Sequence, residues 1–266
     1  MLGRIDMKTS AMALKGAIIG LAALAMGGCI IHTGGFKAKF SRSENLTAPL
    51  TGITALDVST HVGKIQLEAA EVGEVRIAAE IKVRAHTEER AQELAEQVRL
   101  VAEPAGPTLT IKAVKPADLG RNELSVDFVI TAPAALAVTC ATNVGDVQVK
   151  GFAQRVKATT NVGTITCTGL REAIDLRTNV GDIRATYAPD APAAMSATMA
   201  TDVGSIEFHG PREISAQVTA TANVGDINTD RPITVTGSLK RSLRGSLGQG
   251  EGQVHLNTNV GSIRIR

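Results

Sequence analysis

Tryptophan is absent from this chain of 266 residues, tyrosine occurs once and phenylalanine five times. Large rings normally supply much of the filling of a globular enzyme core, and sugar-binding surfaces use them as stacking platforms. Their scarcity leaves any interior to Val, Ile, Leu and Ala, a composition suited to thin stacked β-layers. The length is ample for one sizeable core, or for a core with a small lobe.

Charge of one sign is also lacking. The formal net charge is +2, and because residues 1–28 hold Arg4, Lys8, Lys15 and Asp6, the remainder carries 25 basic and 25 acidic residues. No basic stripe with interleaved aromatics occurs, which argues against a nucleic-acid partner. Catalytic signatures are missing too: there is no Gly-x-Ser-x-Gly and no Walker loop. His32, His61, His86, His209 and His255 are scattered, with no His-Glu-x-x-His and no paired ligand spacing, and read as isolated surface residues. No enzyme activity, cofactor or metal is expected.

The longest apolar run, Gly16 to Met26, is short for a membrane span. It follows Lys8 and Lys15 and precedes Gly27-Gly28-Cys29. A basic leader, an apolar stretch and small residues form a secretory signal. Small residues directly before a cysteine resemble a bacterial lipoprotein signal, which implies cleavage after residue 28 and lipidation of Cys29. By the same resemblance Ile30, rather than Asp, implies the outer membrane of a Gram-negative envelope. The partners expected are therefore the membrane, through the anchor, and an envelope protein or glycan. Residues 29–50 read as the lipidated cysteine and a flexible tether.

What the chain has in quantity is one repeated tetrapeptide, Val-Gly-x-(Ile/Val). It appears around Gly145, Gly163, Gly181, Gly204, Gly225 and Gly261, with a worn copy at Arg244-Gly245-Ser246-Leu247. The glycines lie 18, 18, 23, 21, 20 and 16 residues apart. Such a period marks a stack of similar units. Apolar and polar residues alternate before each glycine and again after it. Val162 and Ile165 can share one interior only if the chain turns a corner at Gly163-Thr164, where glycine tolerates a positive φ. Each period then makes one coil of two short strands and two bends, stacked in parallel. The expected fold is all-β: a parallel β-solenoid over residues 136–266, with about 18–23 residues per coil. The pair Pro189 and Pro192 marks an outward loop, since neither can donate to a ladder.

Beside each glycine, Asn143, Asn161, Asn179, Asp202, Asn223 and Asn259 fall in register as a candidate ladder capping backbone groups at the bend. Asp146, Asp182 and Asp226 share a corner position, but Thr164 sits between the first two, leaving those carboxylates roughly 9.6 Å apart. Calcium needs six to eight oxygens, so this spacing is too sparse for a metal row. Cys140 aligns with Ala158 and Cys167 with Val149, on different faces of neighbouring coils. An oxidising compartment permits a disulfide, while geometry favours two buried thiols.

Residues 51–135 read as a less regular β-rich cap. Val62-Gly63-Lys64-Ile65 and Val72-Gly73-Glu74-Val75 look like earlier copies. Strands are expected near 74–84, 108–113 and 124–131. One short helix opens at Thr87-Glu88-Glu89 and buries Ala91, Leu94, Ala95 and Val98. The last strand, Ile263 to Arg266, carries arginines that would discourage edge pairing.

Repeated Asn-x-Gly-Asp-Ile elements after Val129-Ile130-Thr131-Ala132-Pro133 resemble the bacterial putative-adhesin family of β-strand-repeat domains of unknown function. The resemblance spans residues 50–266 and implies a right-handed parallel β-solenoid on an envelope protein, with no catalytic residues. The expected role is a non-enzymatic envelope lipoprotein with structural, adhesive or protein-interaction functions. The alternatives are a polysaccharide-binding or polysaccharide-acting β-helix, against which the missing aromatics argue, and a sensory partner of an envelope stress system.

Overall fold

The computed structural model describes residues 38–239 and 241–266. The chain opens with β1 (Ala38–Pro49), β2 (Ala55–Ser59), β3 (Ile65–Ala69) and β4 (Glu74–Ala85). It continues into α1 (Glu88–Gln97) and returns as β5 (Arg99–Ala105), β6 (Thr108–Val114) and β7 (Glu123–Ala132). The alternation of β4 buries Val75, Ile77, Ala79, Ile81 and Val83 on one face, as period-two patterning requires. Thr87 caps α1 by accepting from the Arg90 amide at 3.2 Å. At the other end, Arg42 on β1 donates to the carbonyls of Ala95 and Val98 at 2.9 and 2.6 Å. A guanidinium there satisfies terminal carbonyls and opposes the helix dipole.

Thereafter the chain runs in strand pairs: β8 (Ala137–Val144) with β9 (Val147–Lys150), β10 (Val156–Val162) with β11 (Ile165–Leu170), and β12 (Ile174–Val180) with β13 (Ile183–Tyr187). The next pairs are β14 (Ser196–Val203) with β15 (Ile206–His209) and β16 (Ala216–Val224) with β17 (Ile227–Thr229). A hairpin of β18 (Thr234–Leu239) and β19 (Ser242–Leu247) precedes the last pair, β20 (Gly252–Val260) with β21 (Ile263–Ile265).

The two members of each pair lie in different sheets. One sheet has ten strands in the order β1-β4-β7-β3-β9-β11-β13-β15-β21-β17. The other has eleven, in the order β18-β19-β16-β20-β14-β12-β10-β8-β2-β6-β5. From β3 to β17, and from β6 to β16, neighbours run parallel. Register is one-to-one across repeats, as in Val156 opposite Val138 and Ile174. The described residues are therefore all-β with a single helix, and parallel strands build two large sheets around one aliphatic core. Three fully buried phenylalanines, Phe128, Phe152 and Phe208, join that core.

Several expectations are corrected. The tether over 29–50 is an ordered strand from Ala38 to Pro49, paired along its length with β4. Cys29 and the signal at 1–28 lie outside the described residues. Gly245 is no corner: it sits inside β19, which runs antiparallel to β16. Gly73 lies in the turn before β4 and has no positive φ. The last strand is not an edge, because β21 lies between β15 and β17. Arg266 reaches both sides of it, to Glu207 at 3.1 Å and to Asp230 at 3.2 Å.

The phase at the corner also differs. The valines of the motif face solvent at 46% to 56% exposure, while Ile165, Ile183, Ile206 and Ile263 are buried. Two consecutive residues, Asn161 and Val162, point outward at the bend. The residue that shares the interior with Ile165 is therefore Thr160, at 4% exposure.

Candidate functional site

The repeated corner is built by a column of glycines. In stacking order these are Gly63, Gly145, Gly163, Gly181, Gly204, Gly261 and Gly225, with φ between 137° and 152°. A Cβ on any of the last six would lie 2.0 Å from the carbonyl oxygen of the glycine beneath it, and on Gly63 it would lie 2.1 Å from that of Val126. No side chain fits that gap. The requirement comes from the neighbouring repeat as much as from the local dihedral. The first six of these glycine amides donate to the valine carbonyl of the next repeat, as Gly163 does to Val180 at 2.9 Å and Gly204 to Val260 at 2.9 Å.

A buried threonine two residues before each valine completes the bend. Thr160, Thr178, Thr201 and Thr258 donate to the carbonyls of Gly145, Gly163, Gly181 and Gly204 at 3.1, 3.1, 3.0 and 2.8 Å. Thr142 does so to Gly63 at 3.3 Å. The repeat of β16 has Ala222 at this position. These hydroxyls do the capping that the sequence suggested for the asparagines. The signal was present in Thr-Asn-Val-Gly, but the inward phase of the threonine was not.

The corner carboxylates have a structural task as well. Asp146 accepts from the Thr164 amide at 3.0 Å and Asp182 from the Ser205 amide at 2.9 Å. Asp127 does the same for Lys64 at 2.8 Å. Each thus ties one repeat to the next. Among the described residues no group of three or more His, Cys, Asp or Glu could hold a metal ion.

The amide row lies outside. Asn259 donates to Asp202 at 2.9 Å and Asn223 to Asn259 at 2.9 Å. At the other end Asn143 contacts His61 at 2.7 Å. Asn161 and Asn179 occupy the intervening repeats. Beside this row runs a second, of exposed valines: Val144, Val162, Val180, Val203, Val260 and Val224. Sequence reasoning had placed these valines inside. The result is a ridge of hydrocarbon and amide groups at about 4.8 Å spacing. Such groups bind through contact and hydrogen bonding, and they neither transfer protons nor attack carbonyls.

The thiols and the single phenol are sealed in the core. Cys140 and Cys167 are fully buried free thiols. Burial pushes the Cys140 thiol well above its ordinary value and Cys167 up to about 12, so neither forms a nucleophilic thiolate near neutrality. Burial also raises the Tyr187 phenol, whose hydroxyl donates to the Glu172 carbonyl at 3.0 Å. Of the histidines, His209 approaches Glu207 at 3.1 Å, while His86 and His255 are exposed. His32 lies outside the described residues.

The valine row ends in a groove of about 710 Å³. Val62, Val144, Leu119 and Leu124 supply apolar lining, and Lys39, Lys64, Lys82, Arg84 and Lys115 supply charge. Glu123 and Asp127 also line it. The hydrogen bond that Lys82 donates to Asp127, at 2.7 Å, holds the pKa of its ammonium above the usual lysine value.

A family model described as Toastrack DUF4097 matches residues 33–266. No curated protein matches the chain. Among solved structures, a putative cell adhesion protein from Clostridium sporogenes ATCC 15579 superposes with a TM-score of 0.51 at 14% identity, covering 85% of this chain and 99% of that one. A putative adhesin from Bacteroides fragilis NCTC 9343 gives a TM-score of 0.43 at 13% identity, covering 84% of this chain and 97% of that one.

Proposed function

The chain belongs to the Toastrack DUF4097 family, and we propose that it is a non-enzymatic cell-envelope lipoprotein, anchored through Cys29, that presents a rigid β-solenoid for adhesive or protein-interaction roles. The observation that carries this reading is the corner. Gly, Thr and Asp of the repeat are consumed in building the bend, and what remains facing outward is the periodic ridge of valine and asparagine. Exposed apolar residues in a continuous line, rather than scattered singly, are the usual mark of a contact surface. Adhesion is further supported by the description of the Clostridium sporogenes fold neighbour as a putative cell adhesion protein.

Crosslinking in intact cells tests this role. With photo-crosslinking residues placed at positions 162 and 180, a discrete envelope protein or glycan is expected to attach. Efficient crosslinking only from positions on the opposite sheet face would refute the ridge as the contact surface. Turnover of a polysaccharide by the purified chain would overturn the non-enzymatic reading. Mass analysis of the peptide beginning at Cys29 tests the anchor: diacylglycerol and an amide-linked acyl chain are expected, and an unmodified thiol would refute it.

A further inference from the structure

We propose that the cationic groove at the end of the valine row is a docking surface for anionic lipid headgroups, so that this end of the protein rests against a bilayer. Lys39, at the start of β1, lies opposite Arg84, which in turn lies opposite Glu123. The first described residues of the chain therefore lie at the groove itself. The anchor reading makes Cys29 the membrane attachment, nine residues before Ala38, and an extended segment of that length spans at most about 30 Å. The groove is thus the part of the described structure held nearest the bilayer.

Charge complementarity favours the same occupant. Five cations face two carboxylates in this groove. Lys82 is engaged by Asp127 and Glu80 at 2.7 and 2.9 Å, and Arg84 faces Glu123 at 3.5 Å. Lys64 lies only within 4.0 Å of Asp146. Lys39 and Lys115 are exposed and make no ion pair with a described residue. Flexible, hydrated ammonium groups suit a layer of headgroup phosphates better than one bidentate ligand, which would favour arginine. The half-buried Leu119 and Leu124 between them add the apolar contact that interfacial binding uses.

The test uses residues 29–266 carrying Cys29→Ser, which keeps every described residue and removes the lipid. Co-sedimentation is measured with phosphatidylcholine vesicles, with and without phosphatidylglycerol. Binding is expected only to the anionic vesicles and should weaken as salt is added. Replacing Lys39 and Lys115 by Gln should lower partitioning by about fivefold per lysine. Lys39→Arg with Lys115→Arg should retain it, as should Lys112→Gln with Lys157→Gln outside the groove. Equal sedimentation with both vesicle types would overturn the proposal. So would undiminished binding by the double Gln variant, or capture on heparin without binding to vesicles. Because Cys29 is absent from the assay, its outcome is independent of whether the native chain is lipidated.

Discussion

The middle of the wall and its C-terminal end use the same repeat and assemble it differently. From β8 to β15 the repeats stack in chain order, each on the one before. At the end, the repeat of β16 and β17 leaves a slot, the β18–β19 hairpin turns back, and β20–β21 fills the slot. The motif therefore dictates the bend of each repeat without dictating its neighbours. One chemical difference fits the arrangement: Ala222 replaces the capping threonine in the displaced repeat. The repeat placed on Gly204 is instead that of Thr258, which donates to its carbonyl. Among the described residues, the one junction of the glycine column lacking a hydroxyl is thereby placed outermost, and every inner junction keeps its threonine. The antiparallel hairpin then covers the sheet edge at β16.

The largest effect that would sharpen this contrast comes from ending the chain at residue 251. Removing an edge strand would be mild, but here an interior pair is lost from both sheets. The stack from β14 onward is expected to open, with residues 206–247 becoming protease-sensitive and cooperative thermal unfolding lost at that end. A truncated chain that melted like the parent would break the comparison.

Next are the glycines. Gly163→Ala places a Cβ against the Gly145 carbonyl and is expected to cost about 4 kcal/mol or more, among the larger point-mutant effects. Gly73→Ala meets nothing within 4 Å, and should change urea-unfolding stability by no more than about 0.5 kcal/mol. A smaller effect is expected from Thr178→Val. It keeps the shape but removes the bond to the Gly163 carbonyl, at a cost of roughly 1–2 kcal/mol in the same measurement. The smallest contrast is between carboxylates. Asp182→Ala loses the bond to the Ser205 amide and should cost about 1 kcal/mol. Asp226, on the outermost repeat, has no further repeat to tie, so Asp226→Ala should be close to neutral.

How much of this could be read from residues alone follows from which interactions are local. The glycine bends, the alternation of β10 and β11, and helix α1 with its Thr87 cap depend on residues within a few positions of one another. The outward valines were missed because two successive outward residues, Asn161 and Val162, break the period-two pattern on which face assignment relies. Gly245 misled because Arg-Gly-Ser-Leu is equally compatible with a strand, and only pairing with β16 decides between them. β1 was concealed by polar residues; Phe40, Leu46 and Ala48 carried the faint alternation, and Arg42 serves the helix rather than solvent. Stacking order was invisible because every repeat offers its neighbour nearly the same edge, so the choice rests on contacts far apart in sequence. The valine row and the groove inherit those difficulties, since both consist of residues brought together only by stacking.

The most direct test of the out-of-order stack is oxidative crosslinking of paired cysteines on the exposed amide row. Asp202→Cys with Asn259→Cys places the two residues on adjacent strands, within the range of about 4.4–6.8 Å that a disulfide spans. Asp202→Cys with Asn223→Cys places them two strands apart, at roughly 9.6 Å, beyond that range. The buried native thiols should not compete. Rapid disulfide formation in the first pair and little in the second, read by mass after digestion, is the expected result; the reverse outcome would show that β16, and not β20, lies beside β14.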